Sequence, residues 1–159
     1  MPTTHEKHGG ANVHVPPPLI FLTAIGSGAL VQYFVPLALP LPQWVRAVAG
    51  ALIAFGGVAF GAWAIVLFRR SGQDPAPWKP SPSLVAQGPY RFSRNPIYVG
   101  MTSVVVGLAL ALGNPWMLGL GVLALGVVHF AAVLPEERYL AEKFGEDYAR
   151  FCASVRRYL

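Results

Sequence analysis

The sequence predicts an all-α, polytopic integral membrane protein of four transmembrane helices with a C-terminal amphipathic helical tail. Three observations predict it. Of the 159 residues, 54% are hydrophobic and only 12% are charged, with a mean hydropathy of +0.48, which leaves too few charges to coat a soluble globule of this size. Four apolar runs, 19–35, 47–68, 97–112 and 115–134, contain no Lys, Arg, Asp or Glu and come near the ~20 residues that cross a bilayer core. Lys and Arg gather in two places, from Arg69 to Arg94 and from Arg138 to Arg157, while the connection between the first two runs holds only Arg46. Cytoplasmic segments near membrane ends retain positive charge, so both termini, the central loop and the tail are expected on the cytoplasmic side. The net charge of +5 then reflects topology and contact with anionic membrane lipids, and no nucleic-acid partner is needed to explain it.

Residues 1–18 read as a flexible arm. They are polar, carry His5, His8 and His14, and end in Pro16, Pro17 and Pro18; this composition does not resemble a cleaved signal peptide, and the histidine spacing matches no closed set of metal ligands. The remainder, 19–159, forms one membrane domain. Its first two runs are rich in glycine, and Gly57 and Gly61 make a pair of small residues one turn apart that lets helices approach closely, within one chain or between two; oligomeric state stays open. The loop 69–96 is rich in proline and carries Trp78, an amphipathic residue suited to the interface, so an irregular, ordered lid is expected. Gly113 and Asn114, followed by Pro115, turn the third and fourth runs into a tight helical hairpin. In the tail 135–159, Leu140, Phe144, Tyr148, Phe151, Val155 and Leu159 recur every three or four residues, the helical period. Gly145 is expected to interrupt that tail and let it fold back, over the membrane surface or over the site. The lone cysteine, Cys152, excludes an intrachain disulfide and is expected to stay reduced.

Polar chemistry concentrates at two membrane boundaries. Asn95 and Pro96 read as a helix entry, the asparagine capping and the proline filling the first turn where its missing N–H costs nothing. Arg91 and Arg94 precede that cap, so guanidinium groups stand beside a helix N-terminus that already favours an anion such as a carboxylate or phosphate. Glu136 and Glu137 follow the last run directly, and two carboxylates at a bilayer surface need cationic partners. Adjacent helical residues point about 100° apart; one glutamate is expected to pair with Arg138 or a loop arginine, the other to be free for an ammonium. His129 precedes them by seven and eight residues on roughly the same face, about 10 to 12 Å deeper by the helical rise, and an ionisable group at that depth is a functional candidate. The two boundaries together fit a site that grips a zwitterion.

In this order around a membrane hairpin, the motifs resemble those of the superfamily of isoprenylcysteine carboxyl methyltransferases and phospholipid N-methyltransferases. That pattern runs Gly-x-Tyr, Arg-His-Pro-x-Tyr-x-Gly, a hairpin, Glu-Glu, then Phe-Gly-x-x-Tyr; here Gly88 and Tyr90, Arg94 through Gly100, Glu136 with Glu137, and Phe144, Gly145 and Tyr148 match it. The resemblance covers 84–159, with Asn95 standing where the usual residue is histidine; an amide still donates a hydrogen bond but carries no proton charge. It implies an S-adenosylmethionine-dependent enzyme that methylates a lipophilic acceptor entering from the bilayer: an isoprenylcysteine-like carboxylate, a phospholipid amine or a small thiol. Carried over, Tyr90, Arg94, Asn95, Tyr98, Gly100 and Glu137 line the cofactor site, while Arg94, Glu136 and His129 are the catalytic candidates. The other class compatible with four compact spans is a non-catalytic exporter or scaffold. Transporters place ionisable groups or broken helices near the midplane, whereas these charges sit at the membrane edge. A nicotinamide-dependent reductase lacks its Gly-x-Gly-x-x-Gly turn in this chain.

Overall fold

The computed structural model describes residues 11, 13, 15–72 and 74–159. His5, His8 and His14 of the expected arm lie outside the described residues, whereas Ala11 and Val13 are buried and the Ala11 N–H donates to the Pro77 carbonyl of the central loop. Five helices follow: α1 Pro17–Phe34, α2 Gln43–Arg70, α3 Pro96–Leu112, α4 Pro115–Val128 and α5 Leu134–Ser154. No strand occurs among the described residues. Proline occupies the first turn of α1, α3 and α4, where its fixed φ is preorganised for a helix. Arg69 and Arg70 close α2, two cations at the negative end of the helix dipole. Gly113 ends α3 at φ +63°, a left-handed cap that glycine adopts without strain. Asn114 then accepts a hydrogen bond from the Met117 N–H at 2.9 Å while its amide donates to the Gly28 carbonyl at 3.0 Å, so one buried side chain starts α4 and ties the hairpin to α1.

The helices are long and apolar enough for the membrane in three stretches, Pro17–Phe34, Gln43–Arg70 and Pro115–Ser154, with Pro96–Leu112 as a shorter apolar helix between them. α2 packs along α3, α3 against α4, and α4 against α1. These seams are lined by small residues. A methyl group added at Gly107 would lie 2.5 Å from the Gly50 carbonyl and the Ala54 nitrogen, and one at Gly57 2.7 Å from the Gly100 carbonyl. Gly57 and Gly61 therefore pack inside the chain, on α3. The large side chains point the other way: Phe55 and Leu123 are exposed, as suits helices whose flanks are covered by lipid. Tyr33, Phe34 and Trp44 are exposed around the α1–α2 connection, where aromatic residues favour the headgroup level.

The helical path continues past Leu134. One wide turn, His129–Val133, in which the Leu134 N–H reaches back to the His129 carbonyl, joins α4 to α5. Pro135 causes it: lacking an N–H and clashing with the carbonyl four residues back, a proline is accommodated in a continuing helix by a turn of π geometry. The fold-back expected at Gly145 is present, with φ +50° and ψ −119° inside α5. That conformation is closed to residues with a Cβ, although the space around Gly145 is open. Gly145→Ala is accordingly expected to release the end of α5 and raise the rate at which a maleimide labels Cys152 severalfold, without a steric clash to blame.

Candidate active site

The fold-back brings the end of α5 onto the entry to α3. The proline-rich loop closes the space from the side: a single 3-10 turn, Gly88–Arg91, buries Tyr90 with its ring 5.7 Å from that of Phe68. Burial, reinforced by the nearby Glu136 charge, pushes the Tyr90 phenol up, so it stays neutral. Between loop, α2, α3 and α5 lies a cavity of about 290 Å³. Ile65, Leu84, Ile97, Met101 and Phe151 supply apolar wall, and Tyr90, Arg94, Asn95, Tyr98 and Glu136 supply the polar groups.

The two glutamates diverge as helical geometry requires. Glu136 faces the cavity and accepts a hydrogen bond from the Tyr98 hydroxyl at 3.3 Å. Burial raises its carboxyl above the usual carboxylate range to about 7; the Tyr98 hydrogen bond works against that rise and the Glu137 charge adds to it. Glu137 is off the cavity wall and holds two guanidinium groups. Arg94 Nη1 lies 3.1 Å from Glu137 Oε1, and Arg157 Nε and Nη2 each donate to a different oxygen of Glu137 at 2.9 Å. A loop arginine does pair with one of the glutamates; Arg138 is exposed.

Arg94 is 13% exposed. Its Nη1 also donates to Cys152 Sγ at 2.7 Å, and its Nε is buried without a hydrogen-bond partner. Asn95 stands at the capping position of α3 but its side chain does not cap; its amide donates instead to the Arg157 carbonyl at 3.1 Å. His129 lies off the cavity, with Nδ1 2.8 Å from the Tyr158 hydroxyl. Gly100 sits at the α2 crossing, where an added Cβ would be 2.7 Å from the Gly57 carbonyl. The structure thus gathers Tyr90, Arg94, Asn95, Tyr98 and Glu136 on one cavity, sets Glu137 one layer behind Arg94, and leaves His129 and Gly100 apart. Sequence reasoning missed Arg157, Tyr158 and Ser93, whose part depends on contacts distant in the chain.

An opposed cation and carboxylate in an apolar cavity at a bilayer edge, on a bundle of four membrane helices, fit a small membrane enzyme with a charged ligand and an apolar one. Residues 45–147 match the family model for phospholipid methyltransferases. The chain belongs to that family, within the integral-membrane methyltransferase superfamily, and its activity is methyl transfer to a lipid-related acceptor. No curated protein matches the chain.

Proposed function

We propose that the cavity binds S-adenosylmethionine and serves transfer of its methyl group to a lipophilic acceptor that enters from the bilayer, the demethylated donor being the leaving group, with the site and both chain termini on the cytoplasmic side. The observation that carries this reading is the pairing, on one small apolar cavity, of a buried, unpartnered Arg94 Nε–H with the Glu136 carboxylate. The amino-acid end of the donor is a zwitterion. Arg94 Nε supplies a charge-assisted donor for its carboxylate, and Asn95 at the entry of α3 adds the dipole of a helix N-terminus. Glu136 supplies negative charge for an ammonium or sulfonium, and the faces of Tyr90 and Tyr98 attract a cation. Glu137 serves the same site one step back, by holding Arg94. When bound, the donor supplies an electrophilic methyl group on a positively charged sulfur.

The rest is positioning. The apolar walls exclude water, and fixing two reactants in line can itself lower the barrier by several kcal/mol. A carboxylate acceptor needs no base; an amine or thiol must lose a proton, and Glu136, held up near 7 and facing the cavity, is the group placed to take it. The family assignment favours a lipid-borne group, and the carboxylate, amine and thiol chemistries are separated by assay. Purified protein in vesicles is given donor labelled on the methyl group, and the label is counted in the solvent-extractable lipid. Label there that depends on the intact chain supports the reading; donor binding with label only in water-soluble acceptors contradicts it.

The raised Glu136 carboxyl predicts a pH dependence. Its neutral form is favoured in the fold, so its contribution to stability is full below the usual carboxylate range and is lost as pH rises through about 7. Cation binding has the opposite sign, because it needs the ionised form. Donor affinity is expected to fall about tenfold as the pH drops from about 8 to about 6, and Glu136→Gln is expected to bind weakly at both values with no such slope.

A further inference from the structure

Beyond α5 the chain turns extended at Val155, with φ −129° and ψ 133°, and runs back across the site as a strap. The Arg94 N–H donates to the Arg156 carbonyl at 2.9 Å. Asn95 Nδ2 and Ser93 Oγ both donate to the Arg157 carbonyl, at 3.1 and 3.3 Å. The two residues that flank Arg94 thus anchor the main chain of Arg157, whose side chain returns to Glu137, which in turn contacts Arg94. The contacts close a ring, Arg94 to Glu137 to Arg157 to Asn95 and back. This strap lies beyond the stretch matched by the family model, which ends at residue 147.

We propose that Arg157 is a positioning residue of the donor site, acting through Glu137 on Arg94; this rests on the donor-binding reading given above. Two physical effects make it so. The first is geometric. Arg94 meets Glu137 through one nitrogen, a contact about which a guanidinium can pivot, whereas Arg157 grips both carboxylate oxygens in the planar fork that only arginine offers. Fixing Glu137 fixes the pivot, and with it the direction of the free Arg94 Nε–H. The second is charge. With Arg94 as its one partner, Glu137 would neutralise it one to one; by gripping both carboxylate oxygens Arg157 takes up much of the Glu137 charge and leaves Arg94 positive toward the cavity, the sign an anionic group requires. The Arg157 side chain is 40% exposed, so methionine there keeps the apolar stem in place without opening a core.

The test is equilibrium binding of tritiated S-adenosylhomocysteine, the demethylated product, to the full chain in nanodiscs. Arg157→Met is expected to weaken binding about tenfold, and Arg157→Lys, which keeps the charge but loses the fork, by less. Arg150→Met, which removes the same charge from a surface pair with Asp147, is expected to bind as the parent does. The deciding variant is the double substitution with Glu137→Gln. If Arg157 acts through Glu137, the double variant binds no more weakly than Glu137→Gln alone; a merely structural latch would multiply the two losses. In turnover, Arg157→Met is expected to raise the donor KM and leave kcat at saturating donor unchanged. Parent-like binding by Arg157→Met, or multiplied losses in the double variant, overturns the proposal while leaving the donor reading intact. Absence of binding by the parent chain overturns both. Should Arg157→Met fail to reach the native helix content, the graded loss in Arg157→Lys, or its absence, decides in the same way.

Discussion

Replacing Arg94 with methionine is expected to raise the dissociation constant for S-adenosylhomocysteine about 100-fold or more, with helix content unchanged. The expectation follows from where the guanidinium sits. It is 13% exposed, against a carboxylate that is 15% exposed, so water screens it little, and truncating one partner of a buried, hydrogen-bonded charge pair costs about 2–5 kcal/mol. Two terms contribute. The buried, unpartnered Nε–H proposed to meet the ligand disappears, and the net positive charge of the cluster falls to zero, since Arg157 remains to neutralise Glu137. That remaining pair is also why the fold is expected to survive: Glu137 keeps a bidentate partner and is not left as an uncompensated charge. Titration of the product into the variant, with circular dichroism on the same sample, measures both halves. A variant that binds as the parent does would show that the anionic end of the ligand is held elsewhere.

The largest effect on stability is expected at Gly107. An alanine methyl there would stand 2.5 Å from the Gly50 carbonyl and the Ala54 nitrogen, both main-chain atoms of α2 that cannot swing aside. α2 and α3 must separate along their seam, a form of overpacking that costs about 3 kcal/mol or more in a close-packed interface. The same substitution at Gly56, one position away from the seam residue Gly57, meets nothing within 4 Å. There it removes only the entropic penalty of glycine in a helix and is expected to be neutral or stabilising by up to about 1 kcal/mol. Thermal inactivation in detergent should therefore move in opposite directions for the two variants, with a drop of about 10 °C for Gly107→Ala. Equal midpoints would mean that α2 and α3 do not meet at these glycines.

The spans were legible because their signals are local. A bilayer-length apolar run declares itself residue by residue, and Pro96, Pro115 and Gly113 mark helix ends through their own backbone chemistry; the ends of the first three apolar runs and of α1, α2 and α3 differ by a few residues. Pro135 was less informative, because the same missing N–H that stops one helix is absorbed in another by a widened turn. Asn95 shows a different limit. Capping is the rule for an asparagine before a helix, but the Arg157 carbonyl, 62 residues away, claims its amide. That competitor is invisible to any local pattern.

The pair Glu136 and Glu137 sits between these cases. Helical geometry says that they diverge by about 100°, but not which one faces the cavity; that is settled by the π turn that sets the rotation of α5 and by the strap that brings Arg157 to within 2.9 Å of Glu137. Gly145 was readable as a fold-back point from its residue type alone. The destination of the folded-back chain was not, because it depends on the angle of one positive-φ residue carried along several turns of helix.

The central claim, that this cavity is a methyl-donor site, is tested most directly by calorimetric titration of S-adenosylmethionine into the intact chain in lipid nanodiscs. The account predicts saturable binding in the micromolar range with one donor per site, lost in Arg94→Met. Absence of binding in protein of native helix content would contradict it.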